Sequence, residues 1–359
     1  MAAKTAPTKL GKRQRAARYA DRAGLLPIVS RVRSVFARDL RILAYHRVLP
    51  LDDLDTYEFD PDLVSASAAA FRRQMRFVAD RFRPLSFREL AARLDRGLGI
   101  ERDSIIVTFD DGYEDNYSVA FPILRECGVP ATFFLATGHV DRGSPYRYDW
   151  LAHALLSGNG YLRVAEIGLE CALPQTRAQR VALVTTMLHR IKALSQSDQD
   201  VVIERSCAEL GLPIPAQHPH CRPMQWHQAR EMAQAGMEIA SHGVTHRMLA
   251  KLDHADIVRE LVESKASIER ETGTAVCVVS YPVGGNDAFD RRVIEAAQSA
   301  GYRYACSYIS GTNSPRTWNA YALRRLAVEW YTDDAAFRAL LALPELFSYA
   351  TPDRRRRVR

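Results

Sequence analysis

The sequence predicts an α/β fold: a parallel (β/α) barrel carrying a helical insertion. Three observations predict it. Seven short apolar or β-branched runs alternate with stretches of helical periodicity, the rhythm of a parallel sheet whose strands are joined by helices. That rhythm breaks between about residues 143 and 222 and then resumes. Finally, two of the runs end abruptly in carboxylates or histidines, at the strand ends where α/β folds place their chemistry.

The elements follow in order. Residues 1–40 read as a basic arm with a short amphipathic helix near Leu25 to Phe36. Arg41 to His46 is the first strand. Phe71, Met75, Phe77 and Val78 put an apolar face on a helix from Ser67 to Phe82, and Phe87 to Leu94 forms another. Strand Ile105–Phe109 precedes a helix over Tyr117 to Cys127, stopped by Gly128, with Pro122 in its first turns or at a kink. Ala131 to Ala136 is a buried strand. Within the insertion, Arg177 to Leu194 and Asp200 to Leu210 read as helices, and the insertion either shapes a groove at the barrel mouth or is a structural excursion. Helix Trp226–Ala235 and strand Met237–Ser241 restore the rhythm. Asp253 caps a long helix to about Glu271. Strand Val276–Tyr281, helix Asp287–Ala300, strands Tyr302–Ser307 and Leu323–Val328, and a closing helix Asp333–Leu341 complete the barrel at about residue 342. Residues 343–359 form a basic tail.

The run Ile105 to Phe109 delivers Asp110, Asp111 and Gly112 to its mouth. Adjacent carboxylates repel, so folding alone does not call for them. A metal ion makes the pair sensible, with one carboxylate as ligand and the other free to move a proton. The strand ending at Ser241 is followed by His242 and His246, and on a helical turn that i, i+4 spacing places both imidazoles on one face. One Asp oxygen and two His nitrogens leave positions open for water or substrate, which suits Zn²⁺ or a similar first-row ion. Alone, Asp-Asp-Gly is a turn and His-x-x-x-His a solvated helix face; both at strand ends in one chain point to a metal site. Trp150, Trp226, Trp318, Trp330 and Tyr281 are candidates for stacking on a ring of a ligand, with Tyr281 and Trp150 preferred. His218-Pro219-His220-Cys221 reads as a loop.

At these residues the chain resembles the polysaccharide deacetylases, the NodB-homology group of carbohydrate esterase family four. Their Thr-Phe-Asp-Asp-Gly motif is present as Thr108 to Gly112. Their His-[Ser/Thr]-x-x-His motif is matched by His242 and His246, with Gly243 at the Ser/Thr position. Their Arg-x-Pro-[Phe/Tyr]-Gly motif is matched in part by Ser280 to Gly284. The resemblance covers about residues 41 to 340. It implies a distorted barrel of about seven strands, fewer than the eight of a full one. It implies Asp110 as catalytic base and Asp111, His242 and His246 as ligands of Zn²⁺, or of Co²⁺, Ni²⁺ or Mn²⁺. Tyr281 and Pro282 would line the groove, and the backbone N–H of Val283 would help hold an oxyanion. Ser280 stands where many members have the Arg that orients the base, so Arg324 or Arg325 is expected to take over. No C-terminal Leu-His supplies a general acid; His46, at the end of the first strand, resembles the early acid of the exopolysaccharide-associated branch, whose motif order is permuted.

The implied activity is metal-dependent removal of N-acetyl groups from a polysaccharide or oligosaccharide, in exopolysaccharide or cell-envelope glycan biosynthesis. O-acetyl or small cyclic amide hydrolysis on the same site, and a non-catalytic saccharide-binding module, are the alternatives. No Gly-rich phosphate loop or Gly-x-Ser-x-Gly elbow appears. The six cysteines are scattered and read as reduced thiols. The net charge of +7 is uneven: residues 1–41 carry eleven Lys/Arg against two acids and residues 352–359 five Arg against one Asp, leaving a body of about −6. Basic tails suit an anionic membrane surface, and no aromatic-interleaved basic module points to nucleic acid. With no recognisable secretory signal, the expected location is the cytoplasm, peripheral at the inner membrane face.

Overall fold

The computed structural model describes residues 11–192 and 194–348. Seven parallel strands close a barrel: β1 (Arg41–Tyr45), β2 (Ser104–Phe109), β3 (Ala131–Leu135), β4 (Glu238–Ser241), β5 (Val278–Ser280), β6 (Tyr304–Ser310) and β7 (Leu323–Ala327). Each strand pairs with its successor, and β1 pairs with both β2 and β7, which closes the ring. A two-residue strand, Arg83–Pro84, adds beside the start of β2.

Period-two alternation sorts the side chains of these strands into two cores. Ile42, Ile106, Phe134, Ala240, Val278, Cys306 and Leu323 fill the barrel with Phe87 and Leu90, from the helix Phe87–Asp95. The residues between them, including Leu43, Tyr45, Val107, Phe109, Phe133, Ile239 and Val279, face the outer helices. Burying a side chain of this size stabilises by about 1.5–3 kcal/mol. Buried Glu238 accepts from the N–H groups of Phe87 and Arg88 at 2.8 and 3.0 Å, so a carboxylate meets the N-terminus of the helix Phe87–Asp95.

Most helices stand where expected, and Asp253 and Asp333 cap theirs by accepting from backbone N–H groups. Around Pro122 the chain forms a π-helical turn, Asn116–Ala120, before the α-helix Phe121–Cys127, which ends at Gly128 with φ 65°. The arm holds a helix that the sequence reading missed, Lys12–Arg22, beside the expected Leu25–Phe36. Both dock on the closing helix Asp334–Ala342 through Ala17 and Leu26. A short helix, Pro344–Phe347, follows; the arginine-rich end of the tail lies outside the described residues.

The insertion has its own core, built from Leu151, Leu155, Val184, Met187, Ile203 and Cys207. Its helices Arg177–Ile191 and Gln196–Glu209 match expectation. The helix Arg147–Ser157 and the antiparallel pair Tyr161–Val164 and Leu169–Ala172 were not foreseen. No helix among the described residues is long and apolar enough to cross a membrane.

Candidate active site

The alternation that fills the barrel also builds the site. Two residues beyond Ala44, Thr108, Ala240, Val278 and Leu323 come His46, Asp110, His242, Ser280 and Arg325. His46, Asp110, His242 and Ser280 sit at or just past the C-terminal strand ends and Arg325 sits in the middle of β7; all five are in one phase and their side chains converge at the mouth.

Asp111 Oδ1 lies 3.3 Å from His242 Nε2 and 3.1 Å from His246 Nε2. His242 Nδ1 is 2.7 Å from the Ser280 carbonyl, which assigns the ring proton to Nδ1 and leaves the Nε2 lone pair toward Asp111. Asp111 Oδ1 is buried and has no hydrogen-bond partner. A buried, orphaned carboxylate oxygen is costly, and a divalent cation among these three atoms satisfies it, so the donor set fits Zn²⁺ or a related ion. Burial works against ionising Asp111, yet His246 and His242 hold its carboxyl well below the usual range. Burial likewise opposes protonation of His242, but Asp111 and Asp110 raise its pKa. A cation bound at this donor set would therefore compete with a proton for Nε2. The segment carrying the histidines is not helical, contrary to the sequence expectation. It is an irregular loop after β4, in which Gly243 (φ 77°) and His246 (φ 59°) adopt left-handed conformations. Glu260 organises this loop by accepting from the N–H groups of Val244 and Thr245 at 2.7 and 2.9 Å. A Cβ on Gly243 would fall 2.9 Å from Glu260 Oε2, which explains glycine at the family's Ser/Thr position.

Asp110 is gripped by Arg325, whose two terminal nitrogens each donate to one carboxylate oxygen at 2.8 Å. The fork is itself fixed: Nε donates to the Ser307 carbonyl at 2.8 Å, and Ser280 Oγ lies 3.1 Å away. The small Ser280 thus makes room for an arginine arriving from β7. Arg324 points the other way, to the Ser310 carbonyl, and does not reach Asp110. Burial would raise the Asp110 carboxyl, but Arg325, with His242 and His46, keeps it below its ordinary value. His46 Nε2 is 3.9 Å from Asp110 Oδ2. Its backbone is pinned by Ser65 Oγ at 3.0 Å and by Asn116 Nδ2 at 2.8 Å, the latter from the π-helical turn. Tyr308, which the sequence reading missed, places its ring 5.5 Å from that of His46 and 5.2 Å from the Arg325 guanidinium.

Four non-glycine residues in the described chain have positive φ, and three of them, Asp111 (72°), His246 (59°) and Val283 (65°), belong to the predicted site. For β-branched Val283 such a conformation is strained, and strain of this kind clusters at functional sites. Val283 is partly exposed, and next to it the Gly284 carbonyl accepts from Tyr308 N at 2.7 Å. Pro282 is buried near the Gly243 loop.

Two sugar-stacking candidates fail on burial. Trp150 lies in the insertion core, its indole N–H shared between the carbonyls of Leu212 and Pro213 at 2.9 and 3.0 Å. Tyr281 faces outward, stacked on Phe289 with its hydroxyl on the Tyr321 carbonyl. Neither has a free ring face for a substrate. The insertion instead clamps the turn that carries Asp111. Tyr146 donates its hydroxyl to the Asp111 carbonyl, and Asp149 accepts from Tyr113 Oη at 2.8 Å. Just past it, Met224 N donates to the Gly112 carbonyl at 2.9 Å. The sequence signal for Tyr146 was a lone aromatic in a segment without periodicity, too weak to single it out.

The chain matches the polysaccharide deacetylase family over residues 99–305 and belongs to it. The family makes it a hydrolase that removes acetyl groups. YxkH of Bacillus subtilis (strain 168), named as a polysaccharide deacetylase, is 22% identical over 272 residues, covering 76% of this chain and 68% of its own. Among solved structures, the Streptococcus pyogenes deacetylase PplD in complex with acetate superimposes with a TM-score of 0.57 at 17% identity, over 87% of this chain and 99% of that one. IcaB from Ammonifex degensii gives 0.52 at 17% identity, over 84% and 97%. At these identities the structures establish the shared fold.

Proposed function

We propose that the protein is a metal-dependent N-deacetylase of an N-acetylated polysaccharide or oligosaccharide. The observation that carries this reading is the pairing of Asp110, fixed by Arg325, with an adjacent Asp111 whose inner oxygen lacks any partner but the two histidines. Bound by Asp111, His242 and His246, a divalent ion supplies a Lewis acid and a water of lowered pKa. Asp110 accepts the proton of the attacking water, and its depressed pKa keeps it ionised and ready. Arg325 prevents the carboxylate from rotating away. The Val283 N–H contributes a donor to the developing oxyanion. His46 gives a proton to the departing nitrogen, because an amine is a poor leaving group as an anion. The products are acetate and a free amino sugar, whose new positive charge changes how the polymer adheres. Solved structures of IcaB and of the BpsB deacetylase domain share the fold; the placing of the reaction in exopolysaccharide or cell-envelope glycan assembly rests on the early His46, the position of the general acid in the exopolysaccharide-associated branch.

The test is acetate release from N-acetylglucosamine oligomers, with and without chelator. The expected result is release that stops on chelation, returns with Zn²⁺, and falls by about 10²–10⁴-fold in Asp110→Asn. Release only from O-acetylated sugars would overturn the N-acetyl assignment. Metal binding with no release from either substrate would leave a saccharide-binding module.

A further inference from the structure

The helix Leu25–Phe36 uses only one of its faces. Leu26, 3% exposed, packs with Ala17 against Ala339 and Ala342. Arg33 ties the helix down through Asp39 and Glu345 at 2.6 and 2.7 Å. On the opposite side Leu25, Ile28, Val32, Val35 and Phe36 are 45, 60, 52, 52 and 85% exposed. Their spacing lines them up along a single stripe of a docked helix. Contiguous exposed apolar surface on a held element marks an interaction site. Basic residues accompany the stripe on the same hairpin: Lys12, Arg15 and Arg22 on the neighbouring helix, and Arg31 and Arg38 on or just beyond this one, are exposed and make no ion pair among the described residues.

We propose that this helical hairpin is a docking face for an anionic lipid bilayer. The stripe of Leu25–Phe36 enters the boundary between headgroups and acyl chains, and the accompanying Lys and Arg engage lipid phosphates. The two halves of the surface exclude other occupants in different ways. A soluble polyanion would satisfy the bases and leave five large apolar side chains in water. A second copy docked on the same face would cover the apolar stripe but bring two sets of basic residues together. A negatively charged interface with an apolar interior satisfies both halves. The inference rests on the hairpin alone, independent of the catalytic assignment.

The test is flotation of the full chain with phosphatidylcholine vesicles, with and without phosphatidylglycerol. Binding is expected with the anionic vesicles, is weaker with neutral ones, and falls as salt is added. The double variant Ile28→Glu with Val32→Glu should weaken binding by about tenfold or more. Both positions are exposed, so an unchanged circular dichroism spectrum and melt serve as the folding control. Arg31→Ala with Arg38→Ala should weaken binding to anionic vesicles and leave binding to neutral ones unaltered. Absence of flotation at low salt, or undiminished binding by the glutamate variant, would overturn the proposal. A wild-type dimer that the glutamate variant converts to monomer would overturn it in favour of a second copy.

Discussion

Arg325 decides how Asp110 behaves. The carboxyl is buried, and burial by itself would raise its pKa; the guanidinium reverses that. In Arg325→Met the counter-charge is gone, so the Asp110 pKa rises. The proposed base works as the ionised form, so the acid limb of the kcat/KM profile is expected to move to higher pH and activity at low pH to be lost first. Arg325→Lys keeps the charge without the fork and should shift the limb less while lowering kcat. A limb that stays put in Arg325→Met would show that another group titrates in it. At this scale the sequence was legible where chemistry demands unusual residue types: Asp110, Asp111, His242 and His246 have no folding reason to end strands. The choice between Arg324 and Arg325 was not legible. Leu323 and Leu326 lie on opposite faces of the strand, both buried, so the apolar pattern does not set the phase. Trp150 misled because a lone tryptophan carries no sign of which way its helix faces.

The insertion, read in the sequence as either a shaper of the groove or a structural excursion, acts as a clamp on the turn holding Asp111, the proposed metal ligand. Tyr146 and Asp149 come from its first helix and the residue before it, and both reach the Asp111–Tyr113 turn. Tyr146→Phe removes the donor to the Asp111 carbonyl and leaves the ring in place against His139. Because it loosens a ligand held at positive φ, we expect metal affinity, read by calorimetry, to fall about 10–100-fold. Activity should recover when metal is supplied in excess. Unchanged affinity, or a loss that excess metal does not repair, would remove Tyr146 from this role. The barrel elements were legible because strands buried on both faces read as short continuous apolar runs, the outer helices keep a 3.6-residue period, and their caps sit where expected. The helix Arg147–Ser157 was not, because it is buried from Asp149 to Leu156 and therefore has no polar face to give it a period. The strands Tyr161–Val164 and Leu169–Ala172 are each only four residues long, too short for alternation to stand out.

At the scale of the molecule, the barrel and the insertion have separate cores joined through buried polar groups. Arg47, following β1, donates to Asp115 at 2.9 Å, to Tyr57 Oη at 2.6 Å and to the His220 carbonyl at 2.8 Å, and its guanidinium lies 4.5 Å from the Tyr113 ring. Asp149 completes this junction, and burial pushes its carboxyl up to about 7 although Arg47 and the Tyr113 hydroxyl act to lower it. The consequence for stability has a definite sign. Below the ordinary carboxylate range Asp149 is protonated both folded and unfolded, and contributes no pH dependence. Between that range and about 7 the unfolded chain ionises while the folded one stays protonated, so stability falls as pH rises. Above about 7 both states are ionised and the full penalty persists. Asp149→Asn keeps an oxygen to accept from Tyr113 and cannot ionise. Its melting temperature should therefore exceed that of the wild type above about 7, with the difference shrinking to nothing as pH falls toward the ordinary carboxylate range. Thermal melts across this range, at constant metal and salt, would show it. A difference independent of pH would mean that Asp149 is ionised throughout, with Arg47 outweighing burial at the junction.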